Sequence, residues 1–107
     1  MKFISPLNVQ DLVSNNNATL IDIREKYELD ICKVCQIKGI HIPMGEVLNK
    51  IEDFPKYKEI ILMCKTGKRA EALANFLEVD HDYSNVAIMK NGIMGWIEEV
   101  ESHLEEY

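Results

Sequence analysis

Cys64 is followed by Lys65, Thr66, Gly67, Lys68 and Arg69. A thiol, a glycine and three cations therefore fall within six consecutive positions, between the apolar run EIILM and the segment AEALANFL. Together these residue types can do nucleophilic sulfur chemistry, in which the thiolate is the reactive form. A helix starting near Gly67–Arg69 leaves its first amide N–H groups without partners. Its dipole adds partial positive charge at the same end, which suits an anion. Gly67 allows a backbone turn that other residues resist, so the chain can curl around the sulfur. Arg69 is the best-suited oxyanion ligand, because a guanidinium can donate two parallel hydrogen bonds. The plain alternative is a buried cysteine closing a strand, with Lys65 and Lys68 as solubilising charges. Three cations and a glycine just ahead of a helical stripe favour the reactive reading. The expectation is a thiolate at Cys64, held by helix-end amides and flanked by cations.

Such a loop needs a strand before it and a helix after it. Short Ile-rich runs at Thr19–Ile23, Gly39–Ile42, Glu59–Met63 and Val86–Met89 predict strands with both sheet faces covered. Between them the pattern turns helical. Asn8–Ser14 has Val9, Leu12 and Val13 on one face and Asn8 as N-cap, ending at the asparagines 15–17. Met44–Ile51 follows Pro43, a start signal. Ala70, Leu73, Ala74 and Leu77 form an apolar stripe. Met94–Leu104 carries Trp96, Ile97, Val100 and Leu104 on one side. Alternating strands and helices predict an α/β fold with a mostly parallel central sheet between helix layers. In such sheets chemistry sits at the carboxyl ends of strands, where Cys64 falls.

The chain of 107 residues is the size of one domain, and a single domain over 1–107 is expected. A net charge of −6 argues against nucleic-acid partners. The acidic residues Glu98, Glu99, Glu101, Glu105 and Glu106 read as a solvated helix face. No apolar stretch approaches the roughly 18 residues of a membrane span, and the N-terminus has no signal-peptide pattern. Three cysteines and no mark of secretion predict free thiols in the cytoplasm.

Four motifs in order carry a resemblance that covers nearly the whole chain. LIDIRE at 20–25, IKGIHIP at 37–43, ILMCKTGKR at 61–69 and NGIMGW at 91–96 together resemble a rhodanese domain. ILMCKTGKR, IHIPMGEV and a tyrosine after the tryptophan helix are most similar to the rhodanese domains at the C-terminus of ubiquitin-like-protein adenylating enzymes of molybdopterin and thiamine biosynthesis. The chain is then either a free-standing relative or an excised domain. The resemblance implies a three-layer rhodanese-like fold and a sulfurtransferase without cofactor or metal. Cys64 would take the outer sulfur of thiosulfate or another sulfane donor as a persulfide and pass it to a thiophilic acceptor. Amides from Lys65 to Arg69 would cradle the persulfide, and Arg69 with Lys65 or Lys68 would hold the donor oxyanion. A sulfur-relay or ubiquitin-like carrier protein is an implied partner. The spacing Cys-x4-Arg is the short loop of the sulfurtransferases, whereas phosphatase-like and arsenate-handling relatives carry Cys-x5-Arg. A non-catalytic binding module on the same fold is the alternative. Departures from the family pattern are Cys35-Gln36-Ile37 in place of Gly-His-Ile, a longer stretch from Arg24 to Gly39, and lysine at 65 in place of arginine.

Cys32 and Cys35 form a C-x-x-C. A zinc site needs further ligands, and His41, His81 and His103 show no ligand spacing, so a structural or incidental role is expected, with a sulfur-accepting role as a lesser possibility. Asp22 and Arg24 read as a structural pair near the loop, His41 as a packed or edge residue, and Trp96 as core. Gly92 and Gly95 read as residues required by a tight turn.

Overall fold

A computed structural model describes residues 1–107. Five strands, β1 (Phe3–Ile4), β2 (Ala18–Asp22), β3 (Gly39–His41), β4 (Glu59–Met63) and β5 (Val86–Met89), form one sheet in the order β1-β5-β4-β2-β3. Every pairing is parallel. The helices are α1 (Pro6–Ser14), α2 (Lys26–Ile31), α3 (Val47–Lys50), α4 (Lys68–His81) and α5 (Gly92–Glu99).

Because side chains alternate along a strand, β4 feeds two separate cores. Ile60, Leu62 and the following Cys64 pack with Ala70, Leu73, Ala74 and Leu77 of α4 and with Val47 and Ile51. Ile61 and Met63 pack on the other face with Val9 of α1 and with Ile93, Trp96 and Ile97 of α5. The sheet is therefore the middle of three layers, as expected of the α/β reading.

The parallel register decides what meets at the carboxyl edge. Asp22 of β2 pairs with Met63 of β4, and Ile23 N–H continues the ladder to the Met63 carbonyl at 2.9 Å. Leu62 of β4 pairs with Ile88 of β5. The segments after β2, β4 and β5 thus leave the sheet at one level, with Arg24–Glu28, Cys64–Arg69 and Lys90–Gly92 side by side.

Some local expectations shift. Helix α1 starts earlier than Asn8: Ser5 is its N-cap, its Oγ accepting the Asn8 N–H at 3.3 Å, and Pro6 opens the helix. Met44–Ile51 is a four-residue helix flanked by 3-10 turns at Met44–Glu46 and Ile51–Asp53. Helix α5 ends at Glu99 rather than reaching Leu104. Beyond it the acidic run is not uniformly solvated. Glu101 is 1% exposed, and its Oε1 accepts the Trp96 indole N–H at 2.8 Å and the Cys35 and Gln36 amides at 2.7 and 3.0 Å.

Candidate active site

Cys64 is the first residue past β4 and is buried against the α4 layer, 1% exposed. The chain then turns through Lys65, Thr66 and Gly67 into α4. Gly67, at φ 102°, is the N-cap, a left-handed conformation that only glycine takes without strain. In this geometry the Gly67 N–H donates to Cys64 Sγ at 3.1 Å.

Helix α5 fixes the rest of the loop. Its Ile93 N–H donates to the Cys64 carbonyl at 2.8 Å, and Met94 N–H to the Lys65 carbonyl at 3.1 Å. Every peptide in the chain is trans. In a trans peptide the C=O and N–H point in opposite directions. Aiming those two carbonyls at α5 therefore turns the N–H groups of Lys65 and Thr66 away from it. Neither amide, nor those of Lys68 and Arg69 in the open first turn of α4, has an acceptor within the protein. The N-terminus of one helix is spent on loop carbonyls, so that loop amides and the N-terminus of the next remain free to hold an anion.

The cations expected to surround the sulfur differ in their engagements. Arg69 donates from Nη1 and Nη2 to Glu28 Oε2 and Oε1, both at 2.8 Å. End-on pairing uses one hydrogen of each Nη and leaves Nε–H and the second Nη hydrogens. Lys65 Nζ sits 4.5 Å from the centre of the Tyr107 ring, a cation–π contact. Lys68 and Thr66 are exposed. A cleft of about 560 Å³ opens beside the loop and is lined by Thr66, Gly67, Lys68, Glu71, Lys90 and Asn91 among others.

Sequence spacing singles out neither Glu28 nor Tyr107, yet with Arg24 they brace the site. Glu28 is 3% exposed; its Oε1 also accepts the Tyr107 hydroxyl at 2.8 Å, and its Oε2 the Glu25 N–H at 2.8 Å. The Arg69 pair, against the opposing effect of burial, holds Glu28 down to about 2. Burial first, and the Glu28 carboxylate with it, push Tyr107 up to about 12. Arg24 is fully buried: its Nη2 donates to Asp22 Oδ2 at 2.8 Å and to the Cys32 carbonyl at 2.9 Å, and its Nη1 to the Tyr107 oxygen at 3.1 Å. Asp22 and Arg24 do pair, and they tie strand β2 to the α2 segment that presents Glu28. His41 Nε2 lies 2.7 Å from the Arg24 carbonyl, a backbone contact. Trp96 is 0% exposed, as core. A Cβ on Gly92 would fall 2.4 Å from the Cys64 carbonyl oxygen, and one on Gly95 2.7 Å from that of Lys90. All three thiols are free; Cys32 is buried in the α1–α5 core, across the sheet from Cys64, and burial pushes its thiol up.

The model of the rhodanese-like domain family matches residues 5–99. The "Putative sulfurtransferase YtwF" of Bacillus subtilis is 31% identical over 72% of this chain and 71% of its own length. The tRNA uridine(34) hydroxylase of Buchnera aphidicola is 29% identical over 89% of the chain, which spans only 31% of that protein. Among solved structures, a rhodanese-related protein of Thermoplasma volcanium superposes with a TM-score of 0.76 at 26% identity, over 94% of both chains. The single-domain sulfurtransferase RDL2 of Saccharomyces cerevisiae gives 0.68 at 26% identity, over 97% of this chain and 94% of that one.

Proposed function

Because the chain belongs to the rhodanese-like domain family, we propose that it is a sulfurtransferase that carries sulfane sulfur as a persulfide on Cys64. The observation that supports this is the Gly67 N–H directed at Cys64 Sγ, 3.1 Å away, at the head of a loop whose other amides have no protein acceptor. Residues 1–107 would act as one domain in a reducing cytoplasm, without cofactor or metal in the reaction.

The chemistry is a two-step displacement. The Cys64 thiolate attacks the outer sulfur of thiosulfate or another sulfane donor. A new S–S bond forms, and the donor's S–S bond breaks with its electron pair leaving on sulfite or the equivalent thiolate. The product persulfide extends about 2 Å beyond Sγ, toward the free amides of Lys65, Thr66, Lys68 and Arg69, which stabilise its negative charge. An acceptor nucleophile then takes the outer sulfur, and the electron pair of the cleaved bond returns to Cys64. Lys65 and Lys68 would draw in the donor oxyanion. Arg69, clamped on one edge by Glu28, would offer its remaining N–H groups. The nucleophilic acceptor in the cell would be a thiol, such as that of a sulfur-relay protein. With a ubiquitin-like carrier, as in the rhodanese domains of adenylating enzymes, the roles would reverse: the outer sulfur attacks the activated terminal carbonyl, the activating group leaves, and a second thiol attacks Cys64 Sγ in the acyl disulfide, forming a disulfide with Cys64 and releasing the carrier as thiocarboxylate.

Thiocyanate formation from thiosulfate and cyanide tests the reading. The wild type is expected to turn over with double-displacement kinetics and Cys64→Ser to be inactive. Hydrolysis of aryl phosphates without thiocyanate formation would favour phosphoryl chemistry, and a lack of both reactions together with an unlabelled Cys64 would favour a docking module.

A further inference from the structure

Away from the Cys64 loop, the segments that follow α2 and α5 bring together three side chains of the kinds that bind metals. A ligand atom from each of Cys35, Glu101 and His103 lies within 4.8 Å of the other two. Glu101 is the fixed member. Its Oε1 is held by the Cys35 and Gln36 amides and by the Trp96 indole, while its Oε2 is buried and has no hydrogen-bond partner. A buried carboxylate oxygen left without a donor is costly and calls for an explanation. The basic side-chain nitrogen facing it is His103 Nε2, 3.6 Å from Oε2, too far for a hydrogen bond. That separation suits two ligands of one ion: bonds of about 2.1 Å at a tetrahedral angle set oxygen and nitrogen about 3.4 Å apart. Cys35 and His103 are both exposed; the Cys35 thiol donates to the Lys33 carbonyl at 3.4 Å, a contact it would give up to close the rest of the distance.

We propose that Cys35 Sγ, Glu101 Oε2 and a ring nitrogen of His103 bind one zinc-type divalent ion, with solvent in the fourth position. The donor set of one sulfur, one nitrogen and one oxygen suits zinc or cobalt rather than calcium or magnesium, which need oxygen ligands. Loading releases the Cys35 thiol proton, and thiolate plus carboxylate then balance the two positive charges of the ion. The three donors on Oε1 orient the carboxylate from behind, as outer-shell partners do. Cys32 takes no part: it is 6% exposed and packed in the core. The C-x-x-C therefore supplies one ligand rather than a chelating pair, and sequence spacing hides the other two because they come from beyond α5. The ion would staple the segment after α5, which carries Tyr107, to the segment after α2, and so steady the Tyr107 ring beside Lys65.

Titration of the reduced, metal-stripped chain with Co²⁺ tests this. One equivalent should bind with tetrahedral d–d bands and a sulfur-to-cobalt charge-transfer band, zinc should displace it, and zinc should raise the Tm. Cys35→Ser should abolish the charge-transfer band and weaken binding at least about a hundredfold, and His103→Ala at least about tenfold. Cys32→Ser and Cys64→Ser should retain both the band and the affinity. The proposal is overturned if the band disappears with Cys32→Ser or Cys64→Ser instead, or if the wild type takes up no stoichiometric cobalt or zinc at micromolar concentration.

Discussion

The Cys64 carbonyl oxygen occupies the space a side chain on Gly92 would need, 2.4 Å from an added Cβ, with the Lys65 carbonyl at 2.5 Å. Both obstacles are backbone, and both carbonyls accept hydrogen bonds from α5 that orient the loop. Gly92→Ala, at φ 58°, should therefore cost at least about 2 kcal/mol in urea unfolding and slow sulfur uptake by Cys64 tenfold or more. Gly67→Ala meets nothing closer than 3.7 Å and bears only the strain of its positive φ, about 1 kcal/mol. Equal stability of Gly92→Ala and wild type would show that the turn does not fasten the loop.

The Glu28–Arg69 pair gives stability an acid limb. Glu28 is lowered from 4.5 to about 2 in the folded protein. Its contribution is complete above pH 4.5 and is lost as pH falls toward 2, a swing of about 3 kcal/mol for a buried carboxylate. Glu28→Gln, less stable at pH 7, should show a flatter stability profile between pH 5 and 2. Parallel profiles would place the acid limb elsewhere.

Tyr107 should mark the alkaline side. Its proton is held to about 12 in the folded protein, against an ordinary 10. The contribution is present below pH 10 and disappears as pH rises toward 12. Tyr107→Phe keeps the ring over Lys65, loses the hydroxyl between Arg24 and Glu28, and should cost about 1 kcal/mol at pH 7. Its stability should then fall less steeply above pH 10, and ultraviolet titration should lose the phenol transition near 12.

Arg24 carries the largest single penalty. Arg24→Ala leaves the Asp22 carboxylate, 3% exposed, without its partner and frees the Cys32 carbonyl. Removing one side of a buried pair costs about 3–5 kcal/mol, readable as a large drop in urea midpoint. A loss below 1 kcal/mol would mean that water replaces the guanidinium.

These effects also show where the sequence was informative. The α4 stripe Ala70, Leu73, Ala74, Leu77 is buried as its period requires, and β4 and β5 fall where their Ile-rich runs do. Periodicity is a property of one segment, and these segments have enough length to show it. Strand β1 does not: it has two residues and exists through pairing with β5. Glu28 and Glu101 look like solvated acids in the chain. Their burial follows from the register that levels β2 with β4 and from the fold of the segment after α5 onto Trp96. Ser5 takes the cap assigned to Asn8 because Pro6 is already helical. The Cys64 loop was legible because strand, glycine, cations and helix are contiguous, whereas the residues that brace it, Glu28, Arg24 and Tyr107, lie 36 and 40 positions before and 43 after Cys64.

The central claim is that Cys64 carries transferable sulfur within the loop amides. Intact-mass spectrometry after incubation with thiosulfate, and in parallel with a small-molecule persulfide, tests it most directly. The wild type and Cys32→Ser/Cys35→Ser should each gain the mass of one sulfur atom, lost again on adding cyanide, and Cys64→Ser should gain none. Sulfur retained by Cys64→Ser, or a wild type that none of these donors labels, would contradict the account.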